Sequence, residues 1–266
     1  MNNKNRKIIY VATLAVLAAA VVAAIVINYL PDLVIVNGDE VVDGLIKDLL
    51  VRVTAFVFLT YYIFPTSERS VLYFGLVGGW KSVVKCLPCL LVPLVNIPFS
   101  ALFSGSAYIL RTDVALWLFI LDCLAIAAFE ELFFRGTLQK ALFEKIGNKP
   151  NGIIKTTIIT SVFFGLFHLL NIVSGAGIGE TLLQVVYTFL FGAMLSFVMF
   201  TTENLWMCVL LHAVFNFGGA LVPRLGGGLF QDGVFWALTI SVGVAVGVYV
   251  FVCFLKMQKK ATKESS

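Results

Sequence analysis

Two adjacent glutamates and an arginine interrupt an otherwise apolar stretch, FEELFFRG at residues 129–136. On a helix, Glu131 and Arg135 lie on one face because they are four residues apart, so the two side chains can neutralise each other. Glu130 is rotated by about 100° from Glu131 and has no cation at helical spacing. A poorly solvated carboxylate holds a proton more readily than a hydrated one and can act as a general base toward water. The spacing therefore leaves Glu130 as the glutamate available for chemistry.

The chain has two histidines, His168 and His212, and both lie in apolar runs. Asn171 follows His168 by three residues, and Asn216 follows His212 by four, so each histidine has an amide at helical spacing. An imidazole can share a proton with Glu130, and a histidine with an asparagine can donate hydrogen bonds to a developing oxyanion. These groups suffice for the hydrolysis of an amide by an activated water.

A second chemistry uses the same side chains as metal ligands. Glu130, His168 and His212 match the ligand set of a catalytic zinc with a fourth position open to water. The sequence has no HExxH, which excludes the short helical motif of many zinc proteases. Zinc or another divalent metal, or no cofactor at all, stay open as alternatives.

The composition places these residues in a membrane. Of 266 residues, 60% are hydrophobic and only 13% are charged, with a mean hydropathy of +0.97. A soluble domain carries about 25% charged residues, and a β-barrel shows short alternating segments rather than long apolar runs. The sequence predicts an all-α, polytopic bundle of transmembrane helices that forms a single membrane domain over residues 1–266.

Apolar windows of about 17–25 residues predict the spans. The window 71–103 contains three prolines and predicts one broken helix, which gives about eight spans. With eight spans, 15 of the 19 Lys and Arg fall in the segments on the side of the N-terminus, so both termini are predicted to be cytoplasmic. No basic patch is interleaved with aromatic residues, so nucleic acid is not an expected partner. The predicted spans are 8–30, 48–64, 71–103, 114–134, 154–172, 181–201, 204–222 and 234–255.

Three motifs carry a resemblance to a known family. EELFFR at 130–135 fits EExxxR, FGLFH at 164–168 fits FxxxH, and HAVFN at 212–216 fits HxxxN. Three such motifs, in this order on three helices, resemble the CPBP intramembrane proteases. That family includes the CAAX prenyl endopeptidases and the bacterial Abi proteins associated with bacteriocin immunity. The resemblance covers residues 114–222 as the catalytic core helices, and residues 1–110 carry no matching motif.

The resemblance implies a role for each residue. Glu130 would activate water with the help of His168, and His212 and Asn216 would hold the oxyanion. Glu131 and Arg135 would support or orient the site, and Asn171 would be a further supporting residue. The family has been called metalloproteases, but a glutamate mechanism without tightly held metal suits the same side chains.

The sequence thus predicts an intramembrane endopeptidase. Its substrate would be a peptide, or a prenylated or other membrane protein, at the lipid bilayer of a bacterial cell. One alternative is a non-catalytic immunity or scaffold protein that uses the polar cluster for helix packing. Another is a proton-coupled carrier, although no inverted repeat supports it.

Overall fold

The computed structural model describes residues 38–63, 72, 75–147 and 149–265. Helices account for almost all of these ranges, which confirms the all-helical class. Two short strands, β1 (Ala107–Ile109) and β2 (Gly226–Gly228), pair antiparallel within the same ranges. The helical elements are α1 Glu40–Ile63, α2 Trp80–Val95, α3 Phe99–Ser104, α4 Val114–Glu131, the π-helical segment Leu132–Gln139, α5 Lys140–Ile146, α6 Gly152–Phe167, α7 Leu170–Val173, α8 Ile178–Thr202, α9 Leu205–Leu225 and α10 Gly233–Ser265.

Four segments of the described chain are long and apolar enough to cross a membrane. Their outward faces carry large exposed hydrophobic side chains such as Leu190 and Val248, which lipid would cover. The protein is therefore an integral membrane protein. The count of eight spans and the cytoplasmic termini stay predictions, and the predicted span 8–30 lies outside the described residues. The four segments are Gly152–Val173, Ile178–Thr202, Leu205–Leu225 and Gly233–Ala261.

The break predicted in the helix at 71–103 is present, but it lies after the first two of the three prolines. Pro88 and Pro93 lie inside α2, and the chain leaves the helix only at residues 96–98 before α3 begins. A proline removes one backbone hydrogen bond without ending a helix when neighbouring helices support it.

The helix predicted at 114–134 has a defined start and extends beyond its predicted end. Asp113 caps α4, because its Oδ1 accepts a hydrogen bond of 3.1 Å from the backbone N–H of Ala115. The helical path then continues through the π-helical segment and α5 to Ile146. The two glutamates thus lie inside a long helical element and not at its end.

A close helix contact places α9, which carries the HxxxN motif. Asn96, just after α2, donates a hydrogen bond of 2.7 Å from Nδ2 to the carbonyl of Phe215 in α9. A Cβ on Gly218 would lie only 2.8 Å from the backbone of Asn96 and Ile97. The absence of a side chain at Gly218 therefore lets the two segments approach each other.

We expect Gly218→Ala to lower the free energy of unfolding by about 1–3 kcal/mol, because the new methyl group meets backbone that cannot turn aside. Unfolding in mixed detergent micelles measures the change. Gly243→Ala is the matched control, since no described atom lies within 4 Å of its Cβ position in α10. That control should be neutral or stabilising by up to about 1 kcal/mol. An equal effect of both substitutions would contradict the close approach at Gly218.

A group of charged residues away from the motifs links α1, α4 and α9. Arg52 of α1 forms an ion pair with Asp122, which is buried in α4. Asp48 lies 3.7 Å from Arg52 and 3.0 Å from Arg224 of α9. These contacts fix α4 relative to its neighbours two turns before the glutamate pair.

At one end of the bundle, Arg111 contacts two carboxylates that cap helices. Its guanidinium lies 2.9 Å from both Asp39 and Asp113. The hydrogen bond from Arg111 is the main cause that lowers the pKa of each carboxyl below its usual value, and bonds from backbone N–H groups add to it. Both carboxylates are therefore favoured in the charged form when the protein is folded.

The pH dependence of stability should report this contact. A carboxyl with a lowered folded pKa contributes stability above its unfolded pKa of about 3.9, and loses it as the pH falls through the folded value. Arg111→Gln should therefore lower the melting temperature at pH 6–7, and the gap to the wild type should narrow as the pH falls below the unfolded pKa of the carboxyls. Thermal unfolding in detergent across this range measures the gap, and a gap that stays constant with pH would contradict the pairing.

Candidate active site

The three motifs come together at one buried position. Glu130 and Glu131 end α4, His168 follows the last residue of α6, and His212 lies in the middle of α9. The relative exposure of Glu130 is 5%, that of Glu131 is 0% and that of His212 is 3%. Ionisable groups with so little exposure need partners, and Glu131 and His212 each have one.

Glu131 is the hub of the charged cluster. Its Oε1 accepts a hydrogen bond of 2.8 Å from Arg135 Nη1, which confirms the pairing predicted from their spacing. The same oxygen lies 2.7 Å from Nδ1 of His212. Spacing along one helix could not reveal this second contact, because it joins residues 81 positions apart.

His212 lies between the two glutamates. Glu131, as a carboxylate, accepts from Nδ1–H, which fixes the orientation of the ring. The other nitrogen, Nε2, then faces Glu130, whose Oε2 is 3.7 Å away. Within the described chain, Glu130 Oε2 is buried and has no hydrogen-bond partner. The arrangement therefore places one carboxylate oxygen and one imidazole nitrogen 3.7 Å apart.

Arg135 anchors the cluster to two other helices. It is fully buried and donates a hydrogen bond of 3.0 Å from Nη2 to the carbonyl of Gly192 in α8. Its guanidinium carbon lies 4.5 Å from the centre of the Phe164 ring of α6, a distance at which a cation is attracted to the ring face. Arg135 thus compensates the charge of Glu131 and fixes the spacing of three elements.

Phe164 separates and positions the two histidines. Its ring centre lies 5.1 Å from that of His168 and 5.7 Å from that of His212, with interplanar angles of 82° and 83°. Phe191 of α8 contacts His212 from another side at 5.5 Å. The imidazole of His212 is therefore held by aromatic packing as well as by Glu131.

The remaining predicted residues lie around this centre with different partners. His168 is half-buried, and its Nδ1 donates to the carbonyl of Phe164 over 2.9 Å, which leaves Nε2 as its second nitrogen. Asn171 donates to Oε1 of Gln184 in α8 over 2.8 Å and so supports the connection between α6 and α8. Asn216 is half-buried and follows His212 by one turn of α9.

The metal hypothesis can be compared with this geometry. Among the residues that the structure describes, no three His, Cys, Asp or Glu side chains are grouped closely enough to hold a metal ion. Glu130 and His212 form a pair, but the structure does not gather Glu130, His168 and His212 into one ligand set. The metal alternative stays a prediction, and the proposed reaction does not depend on it.

Several residues of the cluster belong to no sequence motif. Gly192 supplies a backbone carbonyl, and Phe191 supplies a ring that contacts His212, so neither carries a chemical signature in the sequence. The π-helical segment directly after Glu131 also has no sequence signal, although such segments are frequent at functional sites.

The fold and the cluster define a class: a helical membrane protein with a buried group of carboxylates and imidazoles suited to proton transfer. Comparison with protein families is more specific, because residues 112–218 match the family described as type II CAAX prenyl endopeptidase, Rce1-like. This segment contains all three motifs and confirms the predicted resemblance to the CPBP proteases. A search among curated proteins found no match. The family match supports a peptidase that acts within the membrane.

Proposed function

We propose that this protein is an intramembrane endopeptidase in which Glu130 activates the water that attacks a peptide bond. The observation that carries the proposal is the position of His212 between two buried glutamates, with Glu131 at Nδ1 and Glu130 facing Nε2. Such an arrangement holds a base and an imidazole in fixed orientation in a site of low polarity, where each interaction is stronger than in water.

In the proposed reaction, Glu130 takes a proton from a bound water. The resulting hydroxide attacks the carbonyl carbon of the substrate, and the carbonyl oxygen becomes an oxyanion. Glu130 then returns the proton to the leaving amine as the C–N bond breaks. Protons and electrons balance without a further reactant, so one glutamate serves as base and then as acid.

The oxyanion needs donors on the opposite side of the carbonyl. Asn216 supplies an amide one turn beyond His212, and His212 donates from Nε2 when it carries both protons. The carboxylate of Glu131 stabilises that charged imidazole, while Arg135 holds Glu131 in place. His168 assists proton transfer through Nε2, since its Nδ1 is bound to the Phe164 carbonyl.

The proposed substrate is a peptide segment of a lipidated or membrane-embedded protein. A buried site on spanning helices is reached most directly by a chain that is already in the bilayer. We propose a bacterial cell membrane as the location, and there a peptide precursor or another membrane protein fits better than a prenylated one.

Comparison of cells that produce the wild type with cells that produce Glu130→Gln tests the proposal and finds the substrate. Quantitative mass spectrometry of the membrane fraction and of released peptides should show fragments with defined new termini only in the wild type. Equal fragment levels with both proteins, at equal amounts in the membrane, would contradict the proposal. In that case the non-catalytic scaffold alternative would gain support.

A further inference from the structure

Buried polar atoms without a hydrogen-bond partner are concentrated at the interface of the π-helical segment, α6 and α8. They include acceptors, hydroxyls and one guanidinium donor, so bound water could satisfy them by donating to some and accepting from others. In native proteins such atoms are nearly always bonded to protein or to ordered water. Seven of the twelve such atoms in the described chain lie at this interface: Glu131 Oε2, Arg135 Nε, Gln139 Oε1, Thr156 Oγ1, Thr160 Oγ1, Ser161 Oγ and Ser196 Oγ.

Two hydrogen bonds place the π-helical segment alongside α8. Arg135 donates to the carbonyl of Gly192 over 3.0 Å, and Gln139 donates to the carbonyl of Ser196 over 3.4 Å. From the first hydrogen bond to the second, the residue number rises by four in both elements, so the π-helical segment and α8 run parallel. Ser196 therefore lies one turn farther along the interface than Gly192, on the side away from Glu131.

Helix α6 runs antiparallel to α8 at the same interface. A Cβ on Gly192 would lie 3.4 Å from Cα of Ser161 and 3.3 Å from Nη2 of Arg135, whereas one on Gly165 would lie 2.8 Å from the carbonyl of Val185. Later positions of α6 thus meet earlier positions of α8. Ser161 lies at the level of Arg135, and the start of α6 lies at the level of Ser196.

The threonines of α6 share the face that meets the π-helical segment. Thr156, Thr160 and Phe164 follow one another at intervals of four residues, and Phe164 contacts Arg135. Thr156 and Thr160 are fully buried. Together with Glu131, Arg135 and Gln139 they form a polar column that is roughly 10 Å long.

Three other threonine hydroxyls in these helices bond to their own backbone. Thr157, Thr188 and Thr202 donate to the carbonyl four residues earlier over 3.0, 2.6 and 2.8 Å, the usual arrangement for a threonine inside a helix. Thr156 and Thr160 make no such bond. Their hydroxyls therefore keep their hydrogen-bonding capacity for the interface.

We propose that this polar column holds a chain of ordered water molecules. It would link Glu131 to the end of the π-helical segment, where Gln139 precedes the half-buried Lys140. The column accepts and donates hydrogen bonds along its length, as a bound water requires. That this water serves the reaction rests on the proposed function, in which water is the second substrate of hydrolysis. The column leads to Glu131, the glutamate that holds His212.

Water-edited solid-state NMR tests the column directly and without substrate. The protein, labelled with ¹³C-threonine, is placed in vesicles of phosphatidylethanolamine and phosphatidylglycerol, and magnetisation transfer from water to each threonine is followed. Signals are assigned by Thr156→Val, Thr160→Val and Thr202→Val. We expect Thr156 and Thr160 to receive water magnetisation several times faster than Thr202, which is fully buried but bonded to its own helix. Equal, slow transfer to all three would overturn the proposal.

Thermal unfolding of Thr160→Val gives a second, independent test. In a hydrated column, valine displaces water and leaves neighbouring atoms unpaired, so the melting temperature should fall by roughly 2–4 °C. In a dry interface the same change removes an unpaired hydroxyl and raises the melting temperature, which would overturn the proposal. Neither test depends on cleavage, so failure of the water column and failure of the peptidase proposal are distinguishable.

Discussion

Glu130→Gln is expected to lower the rate of peptide hydrolysis by about 10²–10⁴-fold, the usual contribution of a general base. Glutamine keeps the size of the side chain but cannot take the proton from water. Because Glu130 Oε2 has no hydrogen-bond partner in the described chain, the substitution breaks no protein hydrogen bond of that oxygen. The melting temperature should therefore be unchanged or slightly higher. Cleavage of the substrate peptide by purified protein in vesicles measures the rate.

Glu180→Gln is the matched control for this experiment. Glu180 is an exposed glutamate in the first turn of α8, so its loss removes a carboxylate without touching the cluster. The control should retain the wild-type rate. If Glu130→Gln also retained that rate, the assignment of Glu130 as the base would be wrong.

Arg135→Met is expected to lower the free energy of unfolding by about 3–5 kcal/mol, because removal of one partner leaves a buried charge uncompensated. The side chain of Glu131 is fully buried, so bulk solvent cannot take the place of the guanidinium. The substitution also removes the hydrogen bond to Gly192 and the contact with Phe164. Unfolding by titration with a denaturing detergent measures the loss.

The double variant Glu131→Gln/Arg135→Met separates charge from packing. Removal of both charges of a buried pair is often close to neutral, so the double variant should regain much of the stability lost in Arg135→Met. Its activity should stay low, since His212 then lacks the carboxylate at Nδ1. Equal destabilisation of the single and double variants would show that Arg135 acts through its packing and not through its charge.

The sequence predicted the local features of the site and missed those that depend on tertiary contacts. The pairing of Glu131 with Arg135 follows from their separation on one helix, and the structure contains it. The contact between Glu131 and His212 depends on how α9 packs against α4. Spacing within one helix carries no information about that packing, so Glu131 was assigned a local partner only.

The hydrogen-bond partner of Asn171 also depends on tertiary contacts. Its position three residues after His168 suggested a supporting role beside that histidine. In the structure the chain leaves α6 at His168, and Asn171 lies on the short helix α7, where it pairs with Gln184. The end of the helix could not be read from the apolar window, because the apolar pattern continues through it.

The helices themselves were more predictable than the break points. Long apolar runs gave the positions of α6, α8 and α9 to within about five residues, since a spanning helix needs such a run. The start of α10 was also predicted, but the helix continues beyond the predicted end at 255 to Ser265. Prolines were a weaker guide, because Pro88 and Pro93 are accommodated inside α2. The π-helical segment after Glu131 contacts α6 and α8 and had no counterpart in the sequence.

Hydrolysis in ¹⁸O-labelled water is the most direct test of the central claim that Glu130 activates water for peptide cleavage. The purified protein in vesicles is incubated with the substrate peptide, and the products are examined by mass spectrometry. We predict one ¹⁸O atom in the new terminal carboxylate with the wild type, and formation of that product at least about 10²-fold more slowly with Glu130→Gln. Labelled product formed at the same rate by Glu130→Gln would contradict it.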